Sequence, residues 1–258
     1  MSYTLPVGLD YEGQLLRNVE VASPTGGLLK RMRDVMTGKD RTAIYRIALE
    51  FGLQSIDGIQ GKPSKEILGR LYFPDVEFIY HCMALLDCDG EWPRVMRSCP
   101  RCEREFKQEI DLSKATVLAL DGSGKSKFDN DTRSIPFTLG TGVRTLDATE
   151  AEHKDGRIGI LTFDDWSTVT ASKLLFGSSM LQSIARAIVE LGPAGRGEVS
   201  AADLEKLPAR EVKKLESLYN DNVPGVQFPG TVDCPYCQET FPVPPIDVVS
   251  DFLLRSAG

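Results

Sequence analysis

Long hydrophobic runs are missing from this sequence of 258 residues, and histidine occurs only twice. The longest uncharged, apolar-leaning stretch spans residues 174–185, well short of the ~20 residues that a membrane helix needs. The first residues lack the basic segment followed by an apolar one that marks a secretion signal. We therefore expect a protein that has no membrane span and folds in a reducing cytoplasm.

An excess of positive charge is also missing. The 30 Lys and Arg residues are outnumbered by 37 Asp and Glu residues, which gives a net charge of −7. This balance argues against a general electrostatic attraction to nucleic acid. Hydrophobic residues make up 41% of the chain and charged residues 26%, which is typical of a globular protein and excludes disordered, coiled-coil and collagen-like chains.

No catalytic motif is evident. The two histidines lie in no ligand-spaced pattern, and a Gly-x-Ser-x-Gly motif is absent. The stretch Gly122-Ser-Gly124-Lys125-Ser126 superficially resembles a phosphate-binding loop, but Ala119 occupies the position of that motif's first glycine, and no helical pattern follows Ser126. We therefore predict a polar loop here, no catalytic or cofactor-binding residues, and a protein that is not an enzyme.

Four of the six cysteines form two Cys-Pro-x-Cys pairs, Cys99-Pro-Arg-Cys102 and Cys234-Pro-Tyr-Cys237. Both thiolates of such a pair can bind one ion, and two pairs supply the closed tetrahedral set of a structural zinc site. The pairs are 131 residues apart, far more than in a compact zinc ribbon. A redox pair and unliganded cysteines are the alternatives, although the residues after both pairs look extended, whereas a redox motif normally begins a helix.

Three neighbouring residues are not counted as ligands. Cys82 and Cys88 lie in an apolar stretch and are expected to be small buried side chains. His81 lies beside Cys82 without a matching partner. The predicted metal ligands are therefore Cys99, Cys102, Cys234 and Cys237.

The chain also shows internal similarity. At an offset of 135 residues, the first pair and Phe106 align with the second pair and Phe241. Further upstream, the series that begins at Ser64 aligns with the series that begins at Ser200, at an offset of 136. This pattern predicts an α+β fold made of two tandem copies, residues 1–115 and 134–258, joined by a loop over residues 116–133 and by the shared four-cysteine zinc-ribbon-like site.

Each copy is predicted to contain a β-hairpin, two helices, a short helix capped by serine, a longer helix, a Cys-Pro-x-Cys turn and an extended segment. In the first copy, the hairpin strands are residues 4–7 and 16–21, and the helices are 28–35, 41–51, a short one starting at Ser64, and 75–86. In the second copy, the strands are residues 135–139 and 143–146, and the helices are 164–176, 179–191, a short one starting at Ser200, 210–219 and a terminal one over 248–253.

Two parts of this sequence resemble proteins of phage tails. The opening Leu5-Pro-Val-Gly8, followed by Ser23-Pro-Thr-Gly26 before a helix, resembles tail assembly chaperones of phages with contractile tails. The second copy, with Pro136-Phe-Thr-Leu139, the helices after it and Cys-Pro-x-Cys, is similar to the baseplate hub assembly family of T-even-like phages, which has relatives in contractile injection systems.

The resemblance implies a non-enzymatic structural or assembly protein of the baseplate or tail. Its partners would be other tail or baseplate proteins, without a small-molecule substrate. Its location would be the bacterial host cytoplasm or the assembled tail particle. Two alternatives stay open: a zinc-ribbon protein that associates with nucleic acid, for which the cluster of Arg94, Arg97, Arg101, Arg104 and Lys107 is the candidate surface, and a nucleotide-binding enzyme.

Overall fold

The computed structural model describes residues 1–36, 41–88, 92–120, 126–144, 152–171 and 176–243. Within these ranges, the helices are α1 (Gly26–Met36), α2 (Arg41–Gly52), α3 (Lys65–Arg70), α4 (Phe73–Asp87), α5 (Phe163–Ala171), α6 (Phe176–Ala187), α7 (Ala201–Leu204) and α8 (Ala209–Asn220). The strands are β1 (Ser2–Tyr11), β2 (Gln14–Val21), β3 (Leu53–Ile56), β4 (Arg94–Ser98), β5 (Glu105–Glu109), β6 (Thr116–Leu118), β7 (Ser134–Arg144), β8 (Glu152–Gly159), β9 (Ile188–Leu191), β10 (Ala194–Gly195), β11 (Gly225–Gln227), β12 (Thr231–Asp233) and β13 (Thr240–Pro242). These elements confirm the predicted α+β class.

The first sheet has the strand order β1-β2-β3 and is antiparallel. Its hairpin turns at Glu12 and Gly13, whose φ angles of 50° and 78° are both positive. A two-residue turn of this kind matches the twist of the strands that it joins. The predicted first hairpin is therefore confirmed, with longer strands than the sequence indicated.

A buried carboxylate fixes the position of this hairpin against α4. The β1 strand shifts register between Thr4 and Leu9, and at this bulge the amides of Val7 and Gly8 donate to the two carboxylate oxygens of Asp75, at 2.7 and 2.8 Å. Asp75 lies in the first turn of α4 and is 0% exposed. Gly8 has a φ of 96°, and a Cβ there would lie 2.7 Å from Arg17 Cγ, so the bulge requires glycine.

The second sheet has the order β7-β8-β9-β10 and is also antiparallel. The prediction of a turn at residues 140–142 was wrong, because Ser134–Arg144 form one strand that pairs with β8. The glycines lie where β7 shifts register between Thr138 and Val143. Glycine pairs mark bulges as well as turns, and the sequence does not distinguish the two. Residues 145 and 146 of the predicted second strand lie outside the described residues.

The sequence did not predict the two short strands that follow helices α6 and α2. The helix predicted over 179–191 ends at Ala187, and Ile188–Leu191 form β9 on the edge of β8. After α2, Leu53–Ile56 likewise form β3 on the edge of β2. A four-residue segment directly after a helix is too short to show a period of its own, so pairing with a neighbouring strand decides its conformation.

The other predicted helices of the described residues are present. The structure has α1, α2, α4 and α8 at the predicted places, and the helix predicted over 164–176 is α5, which ends at Ala171. Residues 172–175 and the predicted terminal helix at 248–253 lie outside the described residues. None of the described helices is both long and apolar enough to cross a membrane.

Both predicted serine caps are confirmed. Ser64 Oγ accepts a hydrogen bond from the Ile67 amide at 3.3 Å, at the start of α3. At the start of α7, Ser200 Oγ accepts from the Asp203 amide at 3.2 Å, and the Asp203 carboxylate accepts from the Ser200 amide at 3.1 Å. This reciprocal pair is a capping box, and it satisfies amides that the first helical turn leaves without partners.

The two main hydrophobic clusters exchange residues between the N-terminal and C-terminal parts of the chain. Phe163 packs into the cluster built from the N-terminal part, whereas Val7 packs into the cluster built from the C-terminal part. The backbones also bond across this boundary, because Phe73 N donates to Leu161 O and Phe163 N donates to Leu71 O, both at 2.8 Å. The two parts therefore do not bury their apolar residues independently.

Two buried groups of α4 have pKa values that depart from their ordinary values in opposite directions. Burial raises the pKa of Asp75 to about 7, against the amides of Val7 and Gly8 and the charge of Arg17, which lower it. Burial lowers the pKa of His81 to about 4. In the unfolded chain, the pKa of an aspartate is about 3.9 and that of a histidine about 6.5. Between about pH 4 and 6.5, folding therefore leads Asp75 to bind a proton and His81 to release one.

The two groups are expected to oppose each other in the pH dependence of stability. In Asp75→Asn only the histidine contribution is left, so the free energy of unfolding should rise with pH relative to wild type, by up to about 1 kcal/mol per pH unit. In His81→Phe it should fall with pH by a similar amount. Urea unfolding between about pH 5 and 6.5 measures both slopes. Slopes parallel to wild type in both variants would contradict this assignment.

Candidate metal centre

The structure brings together the four cysteines of the two Cys-Pro-x-Cys pairs. Their sulfur atoms all lie within 4.8 Å of one another. Cys99 Sγ is 3.6 Å from Cys237 Sγ, and Cys102 Sγ is 3.7 Å from Cys234 Sγ. A tetrahedral ion with metal–sulfur distances of about 2.3 Å needs sulfurs about 3.8 Å apart, whereas a disulfide needs about 2.05 Å. The arrangement can hold one metal ion.

Each pair lies in a turn of the same shape. In the first, Cys99 N donates to Arg104 O at 3.1 Å and Glu103 N donates to Cys99 O at 2.9 Å. In the second, Cys234 N donates to Glu239 O and Gln238 N to Cys234 O, both at 2.9 Å. Glu103 and Gln238, which follow the second cysteine of each pair, have φ angles of 58° and 57°. This positive φ folds the chain back, so that both sulfurs of a pair point the same way.

A short hairpin supports each turn. Strands β4 and β5 flank the first pair, and β12 and β13 flank the second. Phe106 of β5 and Phe241 of β13 meet edge to face, with ring centroids 6.3 Å apart, and form a small apolar cluster with the cysteines. Such aromatic pairs stabilise contacts by about 0.5–1.5 kcal/mol beyond area burial. The hairpins thus meet through their own side chains as well as through the sulfurs.

Two polar contacts join the outer ends of the turns. Arg101 forms an ion pair with Glu239 at 2.9 Å, and the Arg104 guanidinium lies 5.2 Å from the ring centroid of Tyr236. Both members of the ion pair are exposed, so the contact contributes at most about 1 kcal/mol. The sequence did not predict either contact, because the paired residues lie more than 130 positions apart and carry no motif.

The electrostatics of the four sulfurs favour a cation. Burial alone would raise the pKa of Cys234, but hydrogen bonds from the backbone amides of Tyr236 and Cys237 bring it down to about 7. The pKa of Cys237 is raised, because burial and the adjacent sulfurs of Cys99, Cys102 and Cys234 outweigh the amide of Glu239. Four thiolates at these distances repel one another, and a divalent ion among them removes that repulsion.

The centre is partly shielded from water. Cys99 and Cys234 are 1% exposed, whereas Cys102 and Cys237 are half-buried. With four protein sulfurs around one ion, no coordination position is left for water or substrate. The site can therefore join two segments of the chain, but it offers no position at which an ion could activate water.

The other two cysteines and His81 lie outside the four-sulfur group. Cys82 is buried in α4, where burial raises the pKa of its thiol to about 12, and Cys88 is half-buried at the end of that helix. His81 is buried with its ring 5.7 Å from that of Phe228. Neither the thiols nor the imidazole belongs to the four-sulfur group.

The residues that follow Lys125 do not form the helix that a phosphate-binding loop needs. Residues 121–125 lie outside the described residues, and the chain from Ser126 to Arg133 forms turns rather than a helix. Ser126 Oγ donates to Asn222 O at 2.8 Å. Just before this segment, β6 pairs with β11, so the region predicted as a loop begins with a strand.

The basic cluster around the first pair is partly neutralised. Arg94 lies 3.2 Å from Glu109 and Arg101 pairs with Glu239. Arg97 instead donates to the neutral amide oxygen of Gln108 at 3.0 Å.

Against known proteins, no family model, no curated protein and no solved structure matches this chain.

One metal ion per chain is the expected content of the purified protein. Elemental analysis by mass spectrometry should find about one thiolate-binding ion, and Cys102→Ser should lower this content at least tenfold because one of four ligands is lost. Cys88→Ser is the matched control and should keep the ion. Equal metal content in the two variants would argue against the centre.

Loss of one sulfur should disturb both hairpins. In Cys234→Ala, amide hydrogen exchange should become at least tenfold faster in β4 and β5 as well as in β12 and β13, because the ion links them. The measurement is residue-resolved exchange on the metal-loaded chain. Faster exchange confined to residues 231–242 would show that the two hairpins are not coupled.

Proposed function

We propose that this chain is a non-enzymatic structural or assembly protein of a phage-like contractile tail or injection system, held together by a structural zinc ion. The observation that carries the proposal is the meeting of two distant cysteine pairs in one closed site. A site of this kind fixes the relative position of chain segments and performs no chemistry on a substrate. The protein would act through the surfaces that it presents to other tail or baseplate proteins.

Zinc is the ion that this donor set favours. Thiolate ligands select zinc, copper(I) or iron–sulfur clusters, and tetrahedral four-sulfur sites are typical of structural zinc. The sulfur separations of 3.6 and 3.7 Å agree with zinc–sulfur distances of about 2.3 Å.

We also infer that the chain arose by tandem duplication. In support, each large sheet begins with a hairpin whose second strand pairs with a strand that follows two helices. Helix α4 begins at Phe73 and helix α8 begins at Ala209, 136 residues later. The capping residues Ser64 and Ser200 are also 136 residues apart. The shared ion would add a further link between the two copies, beside the core residues that they exchange.

The tail interpretation draws on the opening of the chain. The β1–β2 hairpin is followed by Ser23-Pro-Thr-Gly26, and α1 begins at Gly26. This is the order of elements on which the resemblance to tail assembly chaperones rests. The nucleic-acid alternative is weakened because two of the five basic residues of the cluster, Arg94 and Arg101, each pair with a carboxylate.

Deleting the gene from the phage or bacterium that carries it tests the proposal. Negative-stain electron microscopy should show complete contractile particles reduced at least tenfold, with tubes or baseplates left unassembled. Expression of the wild-type chain or of Cys88→Ser should restore them, whereas Cys102→Ser should not, since the scaffold loses its ion. Normal numbers of complete, active particles in the deletion strain would refute the proposed role.

A further inference from the structure

Within the described residues, the outer edge of β4 has backbone groups that no other strand pairs with. In the β4–β5 hairpin, Cys99 N donates to Arg104 O and Ile110 N donates to Pro93 O. Because bonded residues alternate along an antiparallel strand, the odd-numbered residues of β4 bond to β5, and Arg94, Met96 and Ser98 direct their backbone groups outward. Among the described residues, no strand pairs with this edge.

A cavity lies along this edge. Its volume is about 450 Å³, and it is lined on one side by Met96, Arg97 and Ser98 and on the other by Phe241, Pro242 and Val243. Met96 is 52% exposed, on the opposite face of β4 from the buried Val95. The cavity thus offers apolar contact beside a strand edge that is unpaired among the described residues.

The opposite wall of the cavity is closed to strand pairing. In the second hairpin, Cys234 N donates to Glu239 O and Val243 N donates to Gly230 O, so Thr240 and Pro242 of β13 face outward. Proline has no amide hydrogen and protects an edge from further pairing. Strand β4 contains no proline, so of these two strands it is the one whose edge can accept a partner strand.

Charge indicates which kind of strand fits. Arg97 lines the cavity, is half-buried, and has a neutral amide oxygen as its hydrogen-bond partner. No carboxylate among the described residues forms an ion pair with it. A second copy of β4 would bring another Arg94 and Arg97 and no acidic residue, so pairing between two copies is disfavoured.

We propose that the outer edge of β4 binds an extended peptide segment of a partner protein, which adds as a strand, places apolar side chains on the face of Met96, and offers carboxylates to Arg97 on the opposite face. Main-chain hydrogen bonds would give affinity and the alternating side chains specificity. This surface gives the proposed assembly role a partner chemistry and rests on that role for its biological meaning. The peptide measurement below needs no particle, so the two proposals can fail separately.

A fluorescein-labelled peptide, Thr-Val-Glu-Val-Glu-Val-Thr, is the probe, and fluorescence anisotropy with the full metal-loaded chain is the measurement. Binding should saturate, and Met96→Pro should weaken it at least tenfold because it removes an outward amide without removing a bond to β5. Thr231→Pro, an equivalent edge position on β12, is the matched control and should bind like wild type. Arg97→Gln should weaken this peptide about fivefold but leave a peptide with Gln in place of Glu unchanged.

Four results would overturn the proposal. The first is the absence of saturable binding, and the second is an unchanged affinity in Met96→Pro. The third is slow amide exchange at Met96 and Ser98 in the free protein, which would mean that the chain covers its own edge. The fourth is a dimer in sedimentation equilibrium that Met96→Pro dissociates, which would assign the edge to a second copy.

Discussion

Four sulfur atoms from two hairpins lie within 4.8 Å of one another, and this meeting constrains how the rest of the chain can be arranged. In zinc-binding peptides, structural zinc supplies an apparent ~10–16 kcal/mol, which is as large as the ~5–15 kcal/mol net stability of a whole domain. The exposed ion pair between Arg101 and Glu239 contributes at most about 1 kcal/mol. A bound ion, rather than the polar contacts around it, would therefore decide whether the two hairpins stay together.

Contacts outside the site also bring the two hairpins together. Strand β6 leaves the first hairpin and pairs with β11, which lies shortly before the second hairpin in the chain. Helix α4 packs against β11 as well as against β1. Val7 and Phe163 each pack into the large cluster that the other part of the chain builds. An ion that binds here meets ligands whose backbones are already positioned, so less of its binding energy is spent on ordering the chain.

Sequence patterns predicted the turns and helix caps that adjacent residues form, but not the strands that depend on pairing with distant segments. The Cys-Pro-x-Cys turns and the serine caps are set by adjacent residues, and the sequence identified them. Segments 53–56 and 188–191 become strands only because β2 and β8 lie beside them. Asp75 could have been noticed, since a carboxylate in a helix that is apolar all round must find a buried partner, but the amides of a bulge 67 residues away could not.

The distance between the two cysteine pairs also has a consequence during synthesis. At ~5–20 residues per second, the ribosome needs roughly 7–26 s to make the 131 residues that separate Cys102 from Cys234. For that time Cys99 and Cys102 lack the second cysteine pair and Phe106 lacks Phe241, so a nascent chain exposes two thiols beside an apolar side chain. Chaperones or an early partner that cover this patch would protect it from oxidation and from pairing with the wrong molecule.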